Sequence, residues 1–210
     1  MNLLFLGAPG AGKGTISAIV AKKLGIPHIS TGEILRNEIK EKTPLGLKIE
    51  EQIAEGKFAS DSDMIEIVRK RISQSDAKQG FILDGFPRTA VQAEELQNIA
   101  KIDVVVNLIA DDETLIKRLL GRRSCPKCKK EYNMATSLIT KSGKEICDIC
   151  NVPLSKRADD NEQTIRTRQE IYNKETKILI DFYKKKGILK EVDGEGYPEI
   201  IVDRVIKVLE

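Results

Sequence analysis

The stretch Met1-Asn2-Leu3-Leu4-Phe5-Leu6-Gly7-Ala8-Pro9-Gly10-Ala11-Gly12-Lys13-Gly14-Thr15 decides the fold: an uninterrupted apolar run empties into a glycine-rich loop that opens a helix. Leu3 to Leu6 reads as a strand buried on both faces. Ile16, Ile19, Val20 and Leu24 then recur at helical spacing, and Gly25 stands where a helix stops. Glycines let consecutive N–H groups turn inward around an anion, the helix start contributes the positive end of its dipole, and Lys13 adds a mobile charge. The expected guest is a nucleotide polyphosphate.

The spacing Gly7-x4-Gly12-Lys13 fits the P-loop pattern with one departure. Gly14 occupies the place of the usual Ser or Thr, and Thr15 comes one residue later. That shift puts a direct loop ligand to Mg²⁺ in question.

With 210 residues, 40% of them hydrophobic, the chain is long enough for one full α/β core plus insertions. No apolar run is long enough to span a bilayer, and the N-terminal apolar stretch lacks the flanks of a secretion signal, so a cytoplasmic protein without a membrane role is expected. The net charge of +3, from 35 basic and 32 acidic residues, is too balanced for bulk attraction to nucleic acid. Aromatics at 4%, with no tryptophan, leave few platforms for stacking bases. Nucleic acid is therefore not an expected partner.

Strand-like segments at Asn2 to Leu6, Pro27 to Ile29, Gly80 to Asp84, Val104 to Ile109 and Leu189 to Asp193 alternate with helical periodicity at Ile34 to Lys40, Leu47 to Ala54, Met64 to Ile72, Val91 to Ile99, Leu115 to Leu120, Ile165 to Tyr183 and Ile200 to Leu209. The alternation predicts an α/β fold with a five-stranded parallel sheet flanked by helices and ligands at the carboxyl ends of its strands. Two insertions interrupt a core made of residues 1–29, 60–120 and 159–210. Residues 30–59 are mostly helical and begin with Ser30-Thr31-Gly32-Glu33, a capping-box pattern. Residues 121–158 hold every cysteine.

Those cysteines fall as Cys125-x2-Cys128, then 18 residues, then Cys147-x2-Cys150. Two such knuckles place four thiolates tetrahedrally around one structural Zn²⁺, with no position left for water or substrate. The intervening segment, with Tyr132, Ser142 and Gly143, reads as a small hairpin that relies on the metal for its fold. His28, the only histidine, reads as a partly buried structural residue rather than a metal ligand or base.

Gly80 to Arg88 is a buried strand ending in an acid, then a glycine turn, then an arginine. Asp84 beside the phosphate loop can hold Mg²⁺ through water, and Arg88 can grip a phosphate with its planar fork. Arg118, Arg122, Arg123 and Arg157 border the cysteine insertion, and Arg166 and Arg168 follow on the next helix, where at most one faces the site. No nucleophile or carboxylate pair is arranged for covalent chemistry. A lysine, Mg²⁺ and several arginines suffice for in-line phosphoryl transfer between two bound phosphates.

Together Gly7 to Thr15, Ser30-Thr31-Gly32, Asp84-Gly85-Phe86-Pro87-Arg88 with Gln92, Gly121-Arg122-Arg123, Arg157-x-Asp159-Asp160 and Arg166-x-Arg168 resemble adenylate kinase, in its long form with a zinc-bearing lid. The resemblance covers the whole chain and implies the P-loop nucleoside monophosphate kinase fold. It also implies a monomer that moves a phosphoryl group reversibly between ATP and AMP to give two ADP, with Mg²⁺. Carried over by position, Gly10, Ala11, Gly12, Lys13, Gly14 and Thr15 wrap ATP phosphates, while Arg118, Glu131, Tyr132 and Gly196 lie along the ATP base and ribose. Thr31, Arg36, Lys57, Phe58, Ala59, Gly85, Phe86, Pro87, Arg88 and Gln92 hold AMP, with Gln92 reading the adenine amino group. Arg122, Arg157 and Arg168 close on the phosphates, Arg122 on the ATP side and Arg157 and Arg168 on the AMP side, and Asp159 and Asp160 tether the closed lid. Residues 30–59 become the AMP-binding insertion and 121–158 the lid. Two other readings compete: a kinase with CMP, UMP or dTMP as acceptor, and a P-loop ATPase whose zinc ribbon grips nucleic acid. The second wants a glutamate after Asp84 to activate water, where this chain has Gly85.

Overall fold

The computed structural model describes residues 1–135, 140, 143–157 and 159–210; the expectations for Ser142 and for the Ala158 boundary lie outside them. The apolar run forms β1 (Asn2–Leu6), and the loop opens α1 (Lys13–Leu24), which Gly25 ends. There follow β2 (His28–Ser30), α2 (Thr31–Lys40), α3 (Pro44–Ala54), α4 (Asp61–Ile72), β3 (Phe81–Asp84), α5 (Ala90–Ile99), β4 (Val104–Ile109) and α6 (Asp112–Gly121). The chain continues through β5 (Arg122–Ser124), β6 (Glu131–Asn133), α7 (Glu162–Ile171), a π-helical segment at Tyr172–Thr176, α8 (Ile178–Lys185), β7 (Leu189–Asp193) and α9 (Pro198–Leu209).

Five strands make a parallel sheet in the order β2-β3-β1-β4-β7. Alternation along β1 sorts its side chains between two cores. Leu4 and Leu6 join Leu83, Phe86, Leu96 and Val105 on one face, and Leu3 and Phe5 join Ile16, Val20, Ile82, Val106 and Val202 on the other. Burial on both faces is why β1 and β3 read as continuous apolar runs. The sheet order puts β1 at the centre, so the loop after it opens between β3 and β4. Register completes the placement: Asp84 lies opposite Phe5 on one side and Ser30 on the other.

Helix starts lie ahead of the apolar periodicity because polar caps begin them. Thr43, Ser60, Thr89, Asp111 and Asn161 each accept a hydrogen bond from a first-turn N–H of α3, α4, α5, α6 and α7. Ser30 departs from this pattern and corrects the expected capping box. It precedes α2, but its side chain makes no cap, since its backbone is committed to the sheet beside Asp84.

Two further expectations are corrected. The helix expected from Ile165 to Tyr183 is broken by the π-helical turn, where Lys177 N–H donates to Tyr172 O at 2.9 Å. Among the described residues, the small hairpin flanks the first cysteine knuckle, with only its second strand lying between the two knuckles. Its strands are β5 and β6, paired antiparallel from Arg122 with Asn133 to Ser124 with Glu131. The knuckle forms the connection, so Tyr132 is in this hairpin and Gly143 is not. Among the described residues, no helix is long and apolar enough to cross a membrane.

Candidate active site

At the carboxyl ends of the strands lies a cleft of about 780 Å³, bordered by the glycine loop, Asp84, Arg36, Arg88, Arg118, Arg122, Arg157 and Arg168. A smaller pocket adjoins it, lined by Arg36, Lys57, Phe58, Ala59, Met64, Arg88 and Gln92. Two compartments sharing arginines at their border suit two ligands that meet through anionic ends.

The loop geometry is set by backbone. Gly10 and Gly12 both have φ of 89°, and a Cβ on Gly10 would lie 2.5 Å from Leu115 O. Only glycine passes there without strain. Lys13 curls back so that Nζ donates to Gly7 O at 2.7 Å and Ala8 O at 3.0 Å. Burial and the charges of Arg88, Arg122 and Arg168 lower its pKa to about 8, against the opposing pull of Asp84. Ala11 is fully buried and its N–H is taken by Ala8 O at 3.1 Å, so any phosphate cradle rests on its neighbours.

Asp84 ends β3 beside the loop, with Oδ2 3.3 Å from where a Gly14 Cβ would stand. Burial pushes its pKa up, but contact with His28 and the charges of Lys13 and Arg88 more than reverse this, leaving it below the usual carboxylate value. An ionised carboxylate with open space before it is a fitting oxygen donor for hydrated Mg²⁺. His28 is half-buried, its Nε2 2.9 Å from Ser17 Oγ and 3.7 Å from Asp84 Oδ2. Thr31 is buried, and its hydroxyl donates to Asp84 O at 3.3 Å.

The arginines repel one another. Burial and then Arg122, Arg88, Arg157 and Arg36 lower Arg168 to about 9, and burial with Arg157 and Arg122 lowers Arg36 to about 10, partly offset by Glu131 and Glu33. Burial also lowers Arg88. Carboxylates answer this excess charge. Arg122 Nε donates to Asp160 Oδ2 at 2.7 Å, Arg168 pairs with Asp159 and Asp160, and Arg157 Nη2 donates to Glu131 Oε1 at 2.7 Å. Arg166 points away and pairs with Glu162 in solvent, so of the two helix arginines only Arg168 faces the cleft.

In the smaller pocket Arg88 lies over the Phe58 ring, 4.6 Å from its centroid, and Nε donates to Gly85 O at 2.8 Å. The bulk of Phe58 thus has a physical use that its sequence position did not disclose. A cis peptide joins Phe86 to Pro87. Phe86 belongs to the core and can offer a ligand only backbone. Lys57 points outward to Glu55 at 2.6 Å, leaving its backbone at the pocket. Gln92 is buried and held at both ends: Oε1 accepts from Arg88 N–H at 2.7 Å, and Nε2 donates to Asp61 Oδ1 at 2.7 Å. The π-helical turn supplies a contact that periodicity could not reveal, Thr176 Oγ1 donating to Arg88 O at 2.8 Å.

At the other end of the cleft, Arg118 has a buried Nη1 with no hydrogen-bond partner among the described residues. Burial lowers its pKa against the pull of Glu195, Asp111 and Asp193. Gly196 borders the same cleft. Tyr132 is buried inside the cysteine region, its hydroxyl donating to Cys147 Sγ at 3.4 Å and accepting from Asp148 N–H at 3.0 Å. Its polar end is thereby turned from the cleft.

The four cysteines carry no disulfide, and their sulfurs lie within 4.8 Å of one another. Cys128 Sγ is 3.6 Å from Cys147 Sγ, close to the roughly 3.8 Å edge of a tetrahedron with zinc–sulfur bonds of about 2.3 Å. The knuckles are alike: Cys128 N–H donates to Cys125 Sγ, and Cys150 N–H to Cys147 Sγ, both at 3.4 Å. Each is followed by a left-handed residue, Lys129 with φ of 62° and Asn151 with φ of 53°. Four sulfurs with this spacing and N–H support fit a closed Zn²⁺ site.

Comparison with known proteins agrees with this geometry. The profile of the family described as Adenylate kinase matches residues 5–188. Curated adenylate kinases are similar over nearly the whole chain. One from a Geobacillus species is 46% identical over 200 residues, covering 93% of this chain and 92% of the relative. One from Ruminiclostridium cellulolyticum is 44% identical over 214 residues, covering 100% and 99%. One from Archaeoglobus fulgidus is 43% identical over 215 residues, covering 100% and 98%.

Proposed function

The chain belongs to the adenylate kinase family, and we propose that it transfers the terminal phosphoryl group of ATP directly onto AMP, reversibly, to give two ADP. ATP occupies the large cleft and AMP the smaller pocket, the two meeting at Arg88. Convergence of Lys13, Asp84, Arg88, Arg122, Arg157 and Arg168 on one cleft supports this reading above any other observation.

N–H groups at the start of α1 hold the donor phosphates, which the helix dipole favours. Lys13 leaves its loop carbonyls and bridges the β- and γ-phosphates. Arg88 grips the AMP phosphate, while Arg122, Arg157 and Arg168 exchange their carboxylates for the equatorial oxygens of the group in flight. The acceptor oxygen is already ionised, so no base is needed. Mg²⁺, when bound, neutralises charge across the β- and γ-phosphates, and Asp84 would hold it through water. Residues 30–59 serve as the AMP-binding insertion and 121–158 as a lid, the lid stiffened by Zn²⁺ on Cys125, Cys128, Cys147 and Cys150. Closing both excludes water as a competing acceptor. The enzyme acts as a cytoplasmic monomer without nucleic acid or membrane.

The test is an assay mixing ATP, AMP and Mg²⁺ and following ADP, with CMP, UMP and dTMP as alternative acceptors. ADP formation that depends on AMP is expected. Equal or faster use of a pyrimidine acceptor overturns the acceptor assignment, and ADP formed without any acceptor reassigns the chain as an ATPase.

A further inference from the structure

We propose that Asp61, the first residue of α4, is a specificity-determining positioning residue that makes Gln92 a reader of adenine and not of a 6-oxopurine. This rests on the reading of the smaller pocket as the AMP site.

A glutamine amide is ambiguous. Its carbonyl accepts and its NH₂ donates, and turning the group by half a revolution exchanges the two at almost no intrinsic cost. Adenine presents an amino donor next to the N1 acceptor, and hypoxanthine presents an oxygen acceptor next to an N1–H donor. One amide orientation matches the first edge and the opposite orientation matches the second. A freely turning Gln92 would serve both bases.

Here the amide is not free. Asp61 Oδ1 lies 2.7 Å from Gln92 Nε2 and 2.9 Å from Thr89 Oγ1. A carboxylate only accepts, so the Gln92 atom beside it must be the NH₂. At the other end Arg88 N–H, which only donates, lies 2.7 Å from Oε1. The two neighbours demand the same orientation. Turning the amide would set two oxygens against each other at Asp61 and two donors against each other at Arg88, in a place where Gln92 is 1% exposed and water cannot compensate.

Each end of the amide keeps one position in reserve, an acceptor on Oε1 and a donor on Nε2. Those complement adenine. Asp61 is itself held: Thr89 caps α5 by accepting from Gln92 N–H at 3.2 Å while its hydroxyl proton goes to Asp61. The starts of α4 and α5 thus share one network whose outlet is the reading edge of Gln92.

Asp61→Asn tests this. Its amide can itself turn to donate to a reversed Gln92, which leaves Arg88 N–H as the one neighbour still resisting the turn, so the ratio of kcat/KM for IMP to that for AMP should rise about fivefold, the low end of the range of one mispaired bidentate contact. KM for ATP should stay unchanged. Asp61→Ala, which removes the acceptor altogether, should shift the ratio in the same direction, and melting curves of both variants report folding. In NMR of the ligand-free protein, the Gln92 side-chain NH₂ should exchange slowly with water in the wild type and faster in either variant. An unchanged IMP to AMP ratio, with both rates falling together, makes Asp61 merely structural and overturns the proposal. Failure of the wild type to use AMP would instead overturn the reading of the site on which it rests.

Discussion

Glu131 of the β5–β6 hairpin and Arg157 at the far stem of the cysteine region are joined by a 2.7 Å contact, and the same carboxylate also offsets the repulsion felt by Arg36. A protein carboxylate thus holds an arginine that the proposed reaction gives to phosphate. Because the pair is partly solvated, with side-chain exposures of 27% for Glu131 and 18% for Arg157, its worth is modest. Glu131→Gln should release Arg157 for the group in flight and raise kcat/KM by about two- to fivefold. Steady-state kinetics checks this, and an unchanged or lowered kcat/KM would show that Glu131 does not compete with phosphate for Arg157.

Lys13 carries its charge at a cost in the ligand-free protein. Its pKa falls from the usual 10.5 to about 8. Between those values the unfolded chain binds more protons than the folded one, so stability from this group rises with pH across the window, and the penalty is present in full below about pH 8. Lys13→Met should therefore raise the melting temperature at neutral pH and flatten the rise between pH 8 and 10.5. It should also slow transfer by at least about a hundredfold, as loss of a cation aimed at the transition state does. Melting curves against pH and single-turnover rates test the two halves separately.

Arg88 and Phe58 form a stacked pair at 4.6 Å. Arg88→Ala should lower transfer by at least about a hundredfold. Phe58→Ala should act more mildly, raising KM for AMP by roughly two- to thirtyfold, the range of a cation–π contact, while KM for ATP holds. Equal effects on both nucleotides would mean that Phe58 supports the fold rather than the AMP side.

The cysteine knuckles predict a ranked response. Cys147→Ser should lose its stoichiometric zinc and melt earlier, keeping residual activity at low temperature. A variant equally stable and still holding one zinc would end the structural-zinc assignment. Lys129→Gly should slow zinc loss to a chelator, because a lysine at φ of 62° is strained where glycine is not. Asn151→Gly should change it less, since asparagine tolerates the left-handed region.

Local chemistry made much of this legible in the chain. The run Leu3 to Leu6, stopped by the glycines after it, reads as a strand covered on both faces, and β1 is buried so. Two Cys-x2-Cys knuckles point through their spacing to four sulfurs gathered at one place, and the 3.6 Å approach of Cys128 to Cys147 is compatible with a zinc site. Helix starts, the π-helical turn and the hairpin's position were less legible. They turn on which competing hydrogen bond wins, as at Ser30, where the sheet took the backbone and left the side chain without a cap.

What only the tertiary structure decided is pairing between distant side chains. Nothing near Asp61 in the sequence points to Gln92, thirty-one positions on, and nothing beside Glu131 points to Arg157. Periodicity reports which face of an element is apolar, but a polar contact depends on how two elements are set against each other. The candidate nucleotide-binding residues could therefore be named from the chain, and many of them line one cleft. Which carboxylate restrains each arginine, and which way the Gln92 amide faces, follow from the packing of α4 against α5 and of the hairpin against its stem.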